Sequence, residues 1–459
     1  MFHMEILFSK TLRAMIFWMA WIIIPFIMEI IPAVGGFFIL IKKRFAIKKH
    51  PFEGSLPQIT IIIPVYNSSK TLRGCIQSIY LSDYPMELID IMLVDNMSSD
   101  NSFEIFSDCQ KEFKGLSLRY LSSKQGKSKA LNMALFNSGG KYIMHIDSDG
   151  QLGEDAIKNV VVRFEQNQDV HCMTGVILTD QRYIQDTPNI FLRILRECEL
   201  FEYAQAFLAG RNFESEMNSI YTLSGAFSAF RKSAVLKTQL YNSETVCEDT
   251  HITFQMRHLL KKNIHLCENA LFFVDPIEGF DKLYTQRQRW QRGEIEVSHM
   301  FLQDKMAAFK GFFSNFMVRL LMYDHTFAFP RMIWYFALIF LLFMNYPFEL
   351  IAGSVFIIYL LYVFSAFLFY LNVRAYLKSY KDIRRYYTSK GYIVLLMPAF
   401  NFIVFWIRFA GIINSIKGES QWKTLNLKEE YTIFSQIVKS DFDKVFKIIG
   451  KVKRRINNE

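Results

Sequence analysis

The sequence predicts an α/β fold in which a Rossmann-like cytosolic domain lies between N-terminal and C-terminal membrane helices. Three observations support this prediction. The chain has 459 residues, 51% of them hydrophobic, and the excess lies near 15–41 and 311–414. Between these regions, short β-branched runs alternate with segments of helical periodicity, as in doubly wound sheets. Acidic residues follow the ends of several predicted strands, where such sheets bind their ligands.

The first apolar region, Met15–Ile41, is long enough to cross the ~30 Å hydrocarbon core of a bilayer. It contains one charged residue, Glu29, and can kink at Pro25 or Pro32. A cleaved signal peptide fits poorly, because the apolar run is too long and no small-residue cleavage site follows. Lysine and arginine residues follow directly, so the positive-inside rule places the chain after this helix in the cytosol, up to about residue 325.

The net charge of +10 and the six cysteines also limit the class of protein. In a membrane protein, lysine and arginine beside the bilayer are attracted to anionic lipid. Binding of nucleic acid is not expected, because we find no basic helix or aromatic RNA-binding motif. No two cysteines form a CxxC pair, so we expect reduced thiols in the core, not disulfides or zinc ligands.

Strands and helices are predicted to alternate from Gln58 onward. The predicted strands cover 59–64, 88–94, 116–121, 141–146, 170–176 and 264–274, and the predicted helices cover 70–81, 101–113, 126–136, 189–209, 249–260 and 282–300. Ser224–Phe227 is expected to open a short helix after a close approach of the backbone. The first half of this pattern predicts a parallel sheet with helices on both faces.

The second apolar region divides at Asn345-Tyr346-Pro347, which predicts an outer turn between spans near 328–345 and 348–371. Residues 391–414 contain Pro398, Asn401 and Arg408, so a third span and a re-entrant interfacial helix both remain open. The tail over 441–457 has the pattern of an amphipathic basic helix on the inner leaflet.

Asp147 and Asp149 form an Asp-x-Asp pair at the end of a predicted strand. Alternation along an extended backbone would place both carboxylates on the same side. Oxygen ligands at this spacing suit Mg²⁺ or Mn²⁺, which bridges substrate phosphates. The alternative is a solvated acidic turn before Gly150.

Two further segments could contact a nucleotide. Asp95 also ends a predicted strand and could accept hydrogen bonds from a base or a ribose hydroxyl, although capping of the next helix is an equal alternative. Lys127 follows Gly126 at a predicted helix start, where its charge and the free amides could hold phosphate. The glycine spacing differs from that of a Walker loop.

The most specific acidic and basic signals come later in the chain. Glu248 and Asp249 begin a predicted helix, and a carboxylate there could remove a proton from an acceptor hydroxyl, or could stabilise the helix N-terminus. Gln286–Trp290 (QRQRW) brings arginines together, which would repel each other unless they share an anion. The alternative for this segment is a membrane-interface belt of arginine and tryptophan.

These motifs, in this order, resemble those of family 2 glycosyltransferases with the GT-A fold. The resemblance is closest to membrane synthases of the cellulose, hyaluronan and poly-N-acetylglucosamine type, and covers about residues 55–425. Gln286, Arg289 and Trp290 form its most specific element, and Trp422-Lys423-Thr424 is similar to the end of the poly-N-acetylglucosamine synthases. The chain also resembles glycosyltransferases associated with exosortase in Gram-positive bacteria.

The resemblance implies a role for each matching residue. Pro64, Tyr66, Asn67, Asp95, Lys127 and Asp147 would bind the donor nucleotide, Asp147 and Asp149 the Mg²⁺ or Mn²⁺ ion, and Gln286, Arg289, Trp290, Ser224, Gly225 and Glu248 the pyrophosphate and the acceptor. Asp249 would be the catalytic base. Cys247 stands where threonine is more usual, and a single N-terminal span replaces the two or more of some relatives. These departures weaken the expectation of processive synthesis and export of the product more than the expectation of sugar transfer.

We therefore expect five regions. Residues 1–48 form the N-terminal membrane helix and basic flank, 55–300 the glycosyltransferase domain, 301–327 interfacial helices, 328–414 membrane or interfacial helices, and 415–459 a basic cytosolic tail. The expected activity is transfer of a sugar from a UDP-sugar to a growing glycan, with inversion, at the plasma membrane in cell-surface or exopolysaccharide synthesis.

Two alternative functions remain, and the partners are only partly defined. The chain could add a single sugar to a lipid-linked acceptor, or it could be a catalytically silent scaffold or nucleotide-sugar sensor. The expected partners are the UDP-sugar, a glycan or lipid-linked acceptor and the lipid bilayer, without nucleic acid. A membrane partner subunit, the donated sugar and export of the product are left open.

Overall fold

The computed structural model describes residues 2–46, 52–243, 245, 247–306, 328–417, 429 and 432. Helices α1 (Phe2–Pro25) and α2 (Ile31–Ala46) begin the chain, and a π-helical turn, Phe26–Ile30, joins them. The predicted apolar segment is thus helical, with its irregular turn directly after Pro25.

An α/β domain follows, and its first half matches the predicted alternation. The strands are β1 (Ile59–Val65), β2 (Ile89–Asp95), β3 (Ser117–Ser122), β4 (Tyr142–Ile146), β5 (Gly150–Leu152), β6 (Cys172–Thr179), β7 (Phe227–Arg231) and β8 (Ile264–Val274). The helices are α3 (Leu72–Tyr80), α4 (Ser102–Glu112), α5 (Lys127–Asn137), α6 (Ala156–Gln166), α7 (Gln181–Gln185), α8 (Ile190–Tyr203), α9 (Arg211–Glu216), α10 (Lys232–Val235), α11 (Glu248–His258) and α12 (Phe280–Met306). A second π-helical turn, Ala204–Gly210, joins α8 to α9.

The strands form one sheet in the order β3-β2-β1-β4-β7-β6-β8-β5. Strands β1 to β4 are parallel, as predicted, and bring Val65 beside Asp95 at their carboxyl ends. The second half is mixed, because β7 pairs antiparallel with both β4 and β6. The prediction that Ser224–Phe227 opens a helix is wrong: this segment leads into β7, and Ser224 bridges back to Phe227.

Both faces of the sheet are covered. In β1, Ile59, Ile61 and Ile63 pack with α3, α4 and α6, whereas Ile62 packs on the opposite side with α5 and α8. All seven residues of β1 are buried, which explains why its sequence is apolar except for Thr60. The opposite side also includes Val373 and Tyr376 of a long apolar helix, so the α/β domain and the apolar helices share one core.

That helix is α14 (Phe348–Tyr376), which lies among α13 (Ala328–Phe343), α15 (Lys381–Ser389) and α16 (Ile393–Lys417). Within the described chain, two helical stretches, Phe348–Ser379 and Ile393–Ile412, are long and apolar enough to cross a membrane. The predicted turn lies between α13 and α14, with Asn345 in the left-handed region at φ 58°. Residues 393–417 form one continuous helix that includes Pro398.

The N-terminal helices pack against the C-terminal ones. The Trp18 indole donates a hydrogen bond to the Leu350 carbonyl at 3.1 Å, and the Trp334 indole donates to the Trp21 carbonyl at 3.0 Å. The Tyr376 hydroxyl donates to the Leu40 carbonyl at 3.0 Å. The predicted interfacial segment after Met306, most of the basic tail and Trp422-Lys423-Thr424 lie outside the described residues.

Candidate active site

A cavity of about 1410 Å³ extends from the carboxyl end of β4 to the apolar helices α13, α14 and α16. Its polar end brings together most of the predicted site residues. Those that line it are Lys127, Asp147, Asp149, Ser224, Gly225, Glu248, Asp249, Gln286, Arg289 and Trp290. These side chains come from five separate parts of the sequence, so the fold assembles the site only when the sheet and α12 are in place.

Asp147 lies directly after β4, held by a hydrogen bond from its own amide to the Ala226 carbonyl at 3.1 Å. Its Oδ1 is 2.6 Å from Lys127 Nζ and 3.6 Å from His145 Nε2. Burial alone would raise the pKa of Asp147, but the charge of Lys127 and the nearby His145 ring hold it well below its usual range. Asp147 is therefore a permanent anion at the floor of the cavity.

Asp149 lies in the turn between β4 and β5 and faces the same cavity. The two carboxylates thus reach one site through a turn and not through the extended alternation that the sequence suggested. Burial and then the charge of Asp147 raise the pKa of Asp149 to about 6. A cation between the two carboxylates would relieve this repulsion, so the pair is suited to a metal.

Lys127 opens α5 directly after Gly126, whose φ of 129° requires glycine. The Lys127 ammonium contacts Glu248 Oε1 at 3.1 Å as well as Asp147. Burial alone would lower the pKa of Lys127, but Asp147 and Glu248 hold it well above its usual range. Lys127 is thus fixed as a cation that links the carboxyl end of β4 to the start of α11.

Asp249 is held in the first turn of α11 by two backbone amides. Its Oδ2 accepts a hydrogen bond from the Gly225 N–H at 3.0 Å, and its Oδ1 accepts one from the Thr250 N–H at 2.7 Å. Burial and then Glu248 raise the pKa of Asp249 to about 6, with Lys127 opposing them. A carboxylate with this pKa is ionised at neutral pH and still basic enough to accept a proton.

The QRQRW segment on α12 divides between the cavity and the core. Gln286, Arg289 and Trp290 line the cavity, whereas Arg287 is fully buried. Arg287 Nη2 lies 2.5 Å from Glu202 Oε2, and its guanidinium stacks 4.4 Å from the Trp290 ring centroid. The prediction that these arginines need a shared anion is wrong for Arg287, because Glu202 neutralises it inside the protein.

Arg289 differs from Arg287 in its environment. It is exposed and lines the cavity, and among the described residues it has no carboxylate within ion-pair distance. An arginine in this position can bind an incoming anion at little cost, because no existing ion pair has to be broken. Arg287 therefore supports one face of the Trp290 ring, whereas Arg289 can contact a ligand in the cavity.

Four predicted donor-binding residues do not line the cavity: Pro64, Tyr66, Asn67 and Asp95. They lie beside it, at the ends of β1 and β2. The Ser99 amide donates to Asn67 Oδ1 at 2.8 Å, which joins the two strand-end loops. The hydroxyls of Ser68 and Ser148 are 2.7 Å apart and connect these loops to the turn that carries Asp147 and Asp149.

Two residues that the sequence analysis did not select also belong to the site. Arg211 lines the cavity, donates a hydrogen bond to Ser224 Oγ at 2.7 Å and lowers the pKa of Asp249. Asp275 follows β8, lines the cavity and adds to the raised pKa of Asp149. The strand-end rule that singled out Asp95 and Asp147 would have found Asp275, whereas no local pattern marks Arg211.

The donor set available to a metal is small. Within the described part of the chain, no group of three or more histidine, cysteine, aspartate or glutamate residues could hold a metal ion. Mg²⁺ commonly binds through one or two carboxylates together with substrate phosphates and water. The Asp147–Asp149 pair fits that mode of binding and not a closed protein site.

Residues 60–238 match the sequence model of a family described as Glycosyl transferase family 2. A poly-beta-1,6-N-acetyl-D-glucosamine synthase of Staphylococcus epidermidis is 28% identical over 286 residues, and one of Staphylococcus aureus (strain COL) is 25% identical over 279 residues. Each alignment covers 60% of this chain and 64% of the relative, so the chain spans under two thirds of their length.

A solved structure supports the fold. A mannosyltransferase from Pyrobaculum calidifontis, in complex with GDP-Man and Mn²⁺, superposes with a TM-score of 0.52 and 14% sequence identity. The match covers 88% of this chain and 100% of that protein. The α/β domain therefore has a GT-A-like glycosyltransferase fold.

Proposed function

We propose that this chain transfers a sugar from a UDP-sugar to a glycan, with inversion at the anomeric carbon, because residues 60–238 match the model of Glycosyl transferase family 2. The observation that carries the proposal is that Asp149, Asp249 and Arg289 line one cavity. A metal-binding carboxylate, a base and a free cation are the groups needed to bind a sugar diphosphate and activate a hydroxyl. The staphylococcal relatives support a role in polysaccharide synthesis.

The donor nucleotide would enter over the carboxyl ends of β1 and β2. Tyr66 is exposed there, and Asn67 adopts a left-handed conformation at φ 51° that turns the chain away from the sheet. Asp95, with Pro64 beside it, would accept hydrogen bonds from the base or the ribose. The contact between the Ser68 and Ser148 hydroxyls connects this nucleotide position to the turn that carries Asp147 and Asp149.

The cofactor would be Mg²⁺ or Mn²⁺, held by Asp147 and Asp149 together with the donor phosphates. When bound, such an ion supplies positive charge at the diphosphate. The raised pKa of Asp149 is the feature of this chain that favours it, because two close carboxylates repel each other without a cation. Lys127 and Arg289 would add fixed positive charge around the same diphosphate.

In the chemical step, the acceptor hydroxyl attacks the anomeric carbon and its proton passes to Asp249. The bond between that carbon and the diphosphate oxygen breaks, and the electron pair leaves with UDP. The Gly225 and Thr250 amides hold the Asp249 carboxylate for this transfer. Glu248, fixed by Lys127, raises the basicity of Asp249 and does not need to touch the substrate.

The acceptor would lie between Trp290 and the segment Ser224–Phe227. The Trp290 ring is half-buried, with Arg287 stacked against it, so it is a rigid surface for a sugar ring. Gln286 is beside it on the same wall of the cavity. Serine and glutamine side chains can hydrogen-bond sugar hydroxyls without adding charge.

The chain would be a multi-pass protein of the plasma membrane, with its catalytic domain in the cytoplasm. The N-terminal segment joins α13 and α14 through the Trp18 and Trp334 hydrogen bonds, which supports one helical bundle. Lys43, at the basic end of α2, contacts Glu216 at 2.7 Å and Asn212 at 2.7 Å. These contacts support a position of the α/β domain beside the basic end of α2, which the positive-inside rule would assign to the cytosol.

The proposal is tested by UDP release from the purified full chain with a panel of UDP-sugars, in the presence of Mn²⁺, Mg²⁺ or EDTA. We expect metal-dependent release with one sugar, and a ladder of products by mass spectrometry. A single added sugar would indicate a non-processive transferase. Absence of release with every sugar, in protein that still binds UDP, would contradict the proposal and favour a sensor or scaffold.

A further inference from the structure

The cavity has two ends of opposite character. Its polar end contains the carboxylates described above, and its other end is lined by α13, α14 and α16. The N-terminal segment adds Glu29, Pro32, Ala33, Gly36 and Leu40 to the lining of the cavity. We call the second end the apolar half, and define it by the lining residues of these three helices. Apart from Tyr359, Tyr362, Ser365, Asn401 and Arg408, its lining side chains are leucine, isoleucine, valine, alanine, proline and phenylalanine.

This composition is a poor match for a hydrated glycan. A sugar hydroxyl that leaves water without a new hydrogen bond makes binding less favourable. The few polar groups are partly engaged already, since the Tyr359 hydroxyl donates to the Leu395 carbonyl at 3.0 Å. A hydrocarbon chain, in contrast, gains free energy from the same walls.

Arg408 also limits which kind of molecule can bind in the apolar half. It lines the cavity from α16, and among the described residues it has no carboxylate within ion-pair distance. A cation in a membrane helix without a protein counter-ion marks a functional site by default. Its planar guanidinium is well suited to a phosphate group.

The position of Arg408 along the cavity is also defined. Gly411, one helical turn further on α16, packs so closely on α12 that an added Cβ would lie 3.2 Å from Gln288 Cα. Gln288 lies inside the QRQRW segment, next to Arg289. Arg408 therefore lies near the level where the polar end meets the apolar half.

We propose that the acceptor is a lipid with a phosphate headgroup that carries a sugar. Its hydrocarbon chain occupies the apolar half, its phosphate pairs with Arg408, and a hydroxyl of its sugar reaches Asp249. The hydroxyl oxygen bonds to the anomeric carbon of the donor, its proton passes to Asp249, and UDP leaves with the electron pair of the broken bond. This inference rests on the proposed function for the reaction, but the binding of the lipid does not require turnover.

The test is binding of two probes to the full chain in detergent, measured by native mass spectrometry without donor or metal. The probes are geranylgeranyl phosphate and geranylgeraniol, which share a hydrocarbon chain and differ in the phosphate. We expect the wild type to prefer the phosphate by about tenfold or more, as for a charge-assisted contact. Arg408→Gln should lose this preference, and Arg374→Gln, which removes a cation outside the cavity lining, should keep it.

A second pair of variants tests the location of the chain. Ala399→Trp would fill part of the apolar half and should weaken binding of both probes about tenfold. Leu395→Trp, one turn earlier on α16 and outside the cavity lining, should leave binding unchanged. If Ala399→Trp does not fold, Ala352→Phe on α14 fills the same half.

Several results would overturn the inference. They are no binding of either probe, equal binding of both probes by the wild type, or equal effects of Ala399→Trp and Leu395→Trp. Binding of a chito-oligosaccharide that Ala399→Trp abolishes would show that a glycan occupies the apolar half. Because UDP release is measured separately, a chain that releases UDP but binds no lipid keeps the proposed function and loses only this inference.

Discussion

The Gly225 amide lies 3.0 Å from Asp249 Oδ2 and donates a hydrogen bond to it. A Cβ added at residue 225 would lie 2.9 Å from the same oxygen. The backbone before β7 can thus reach the carboxylate only because residue 225 has no side chain. This contact places the proposed base against the loop that would receive the acceptor.

Gly225→Ala should lower kcat about tenfold or more while the affinity for UDP changes little. The added methyl group would push the Asp249 carboxylate out of position, and small displacements of a catalytic group cost rate steeply. Steady-state kinetics with isothermal titration of UDP would measure both quantities. Gly279→Ala is the matched control, because nothing lies within 4 Å of a Cβ there. Equal losses in the two variants would show that the contact has no special role.

The pH dependence of transfer should reflect Asp249. Its pKa is raised to about 6 by burial and Glu248, and only the ionised carboxylate accepts a proton. We expect kcat/KM to fall roughly tenfold per pH unit below about 6 and to level off above it. Asp149 has a raised pKa of about 6 as well, so the profile should be recorded at saturating Mn²⁺. A flat profile between pH 5 and 7 would contradict the assignment of this base.

The raised pKa of Asp249 also makes the stability of the fold depend on pH. A carboxyl group with a raised folded-state pKa stabilises the fold when protonated, and this contribution is lost as the pH rises through about 6. Asp249→Asn should therefore raise the melting temperature at pH 8, and the gain should shrink as the pH falls towards 5. Asp281→Asn on the exposed start of α12 is the control. A melting temperature that falls at pH 8 would show that the carboxylate is favourably paired.

Substitution of Arg287 should reduce stability, whereas substitution of Arg289 should reduce activity. Arg287→Met would leave Glu202 and Glu199 without their buried counter-ion, which typically costs about 3–5 kcal/mol. Arg289→Met removes an exposed cation and should leave the melting temperature within about 2 °C, since surface substitutions usually change stability little. Transfer by Arg289→Met should fall at least tenfold. Reversed behaviour of the two variants would refute the division of roles on α12.

Trp290→Ala should reduce transfer to the acceptor more than hydrolysis of the donor by water. The ring lines the cavity together with Ser224 and Gly225, where the acceptor would lie, whereas Tyr66 and Asn67 of the proposed nucleotide site do not line it. The two rates can be compared in one assay by measuring UDP and glycosylated product together. Equal reductions in both would argue against an acceptor role.

The parallel half of the sheet could be predicted from the sequence because its strands are buried on both faces. The runs of β1 and β2 are mainly apolar, with Thr60 and Asp90 as buried exceptions, and they end beside Tyr66 and at Asp95. Strand ends and candidate site positions were therefore predicted together. The antiparallel strand β7 was missed, since Ser224–Phe227 looks like a helix start. Its extended conformation depends on pairing with β4, which is remote in sequence.

Ten of the fourteen predicted site residues line the cavity, but their internal partners were not predicted. The sequence could not show that Lys127 is held by Asp147 and Glu248, or that Glu202 neutralises Arg287, because these pairs join distant segments. The large cavity was also not predicted. It arises from the packing of α14 and α16 against the π-helical turns and α12, and no local pattern records that packing.

The role of Asp249 as the base can be measured by comparing sugar transfer and UDP affinity in the wild type and Asp249→Asn. We expect the variant to bind UDP as tightly as the wild type while transfer falls about 10²–10⁴-fold, the usual contribution of a general base. Transfer within threefold of the wild-type rate, with UDP affinity unchanged, would contradict this role and show that another group removes the proton.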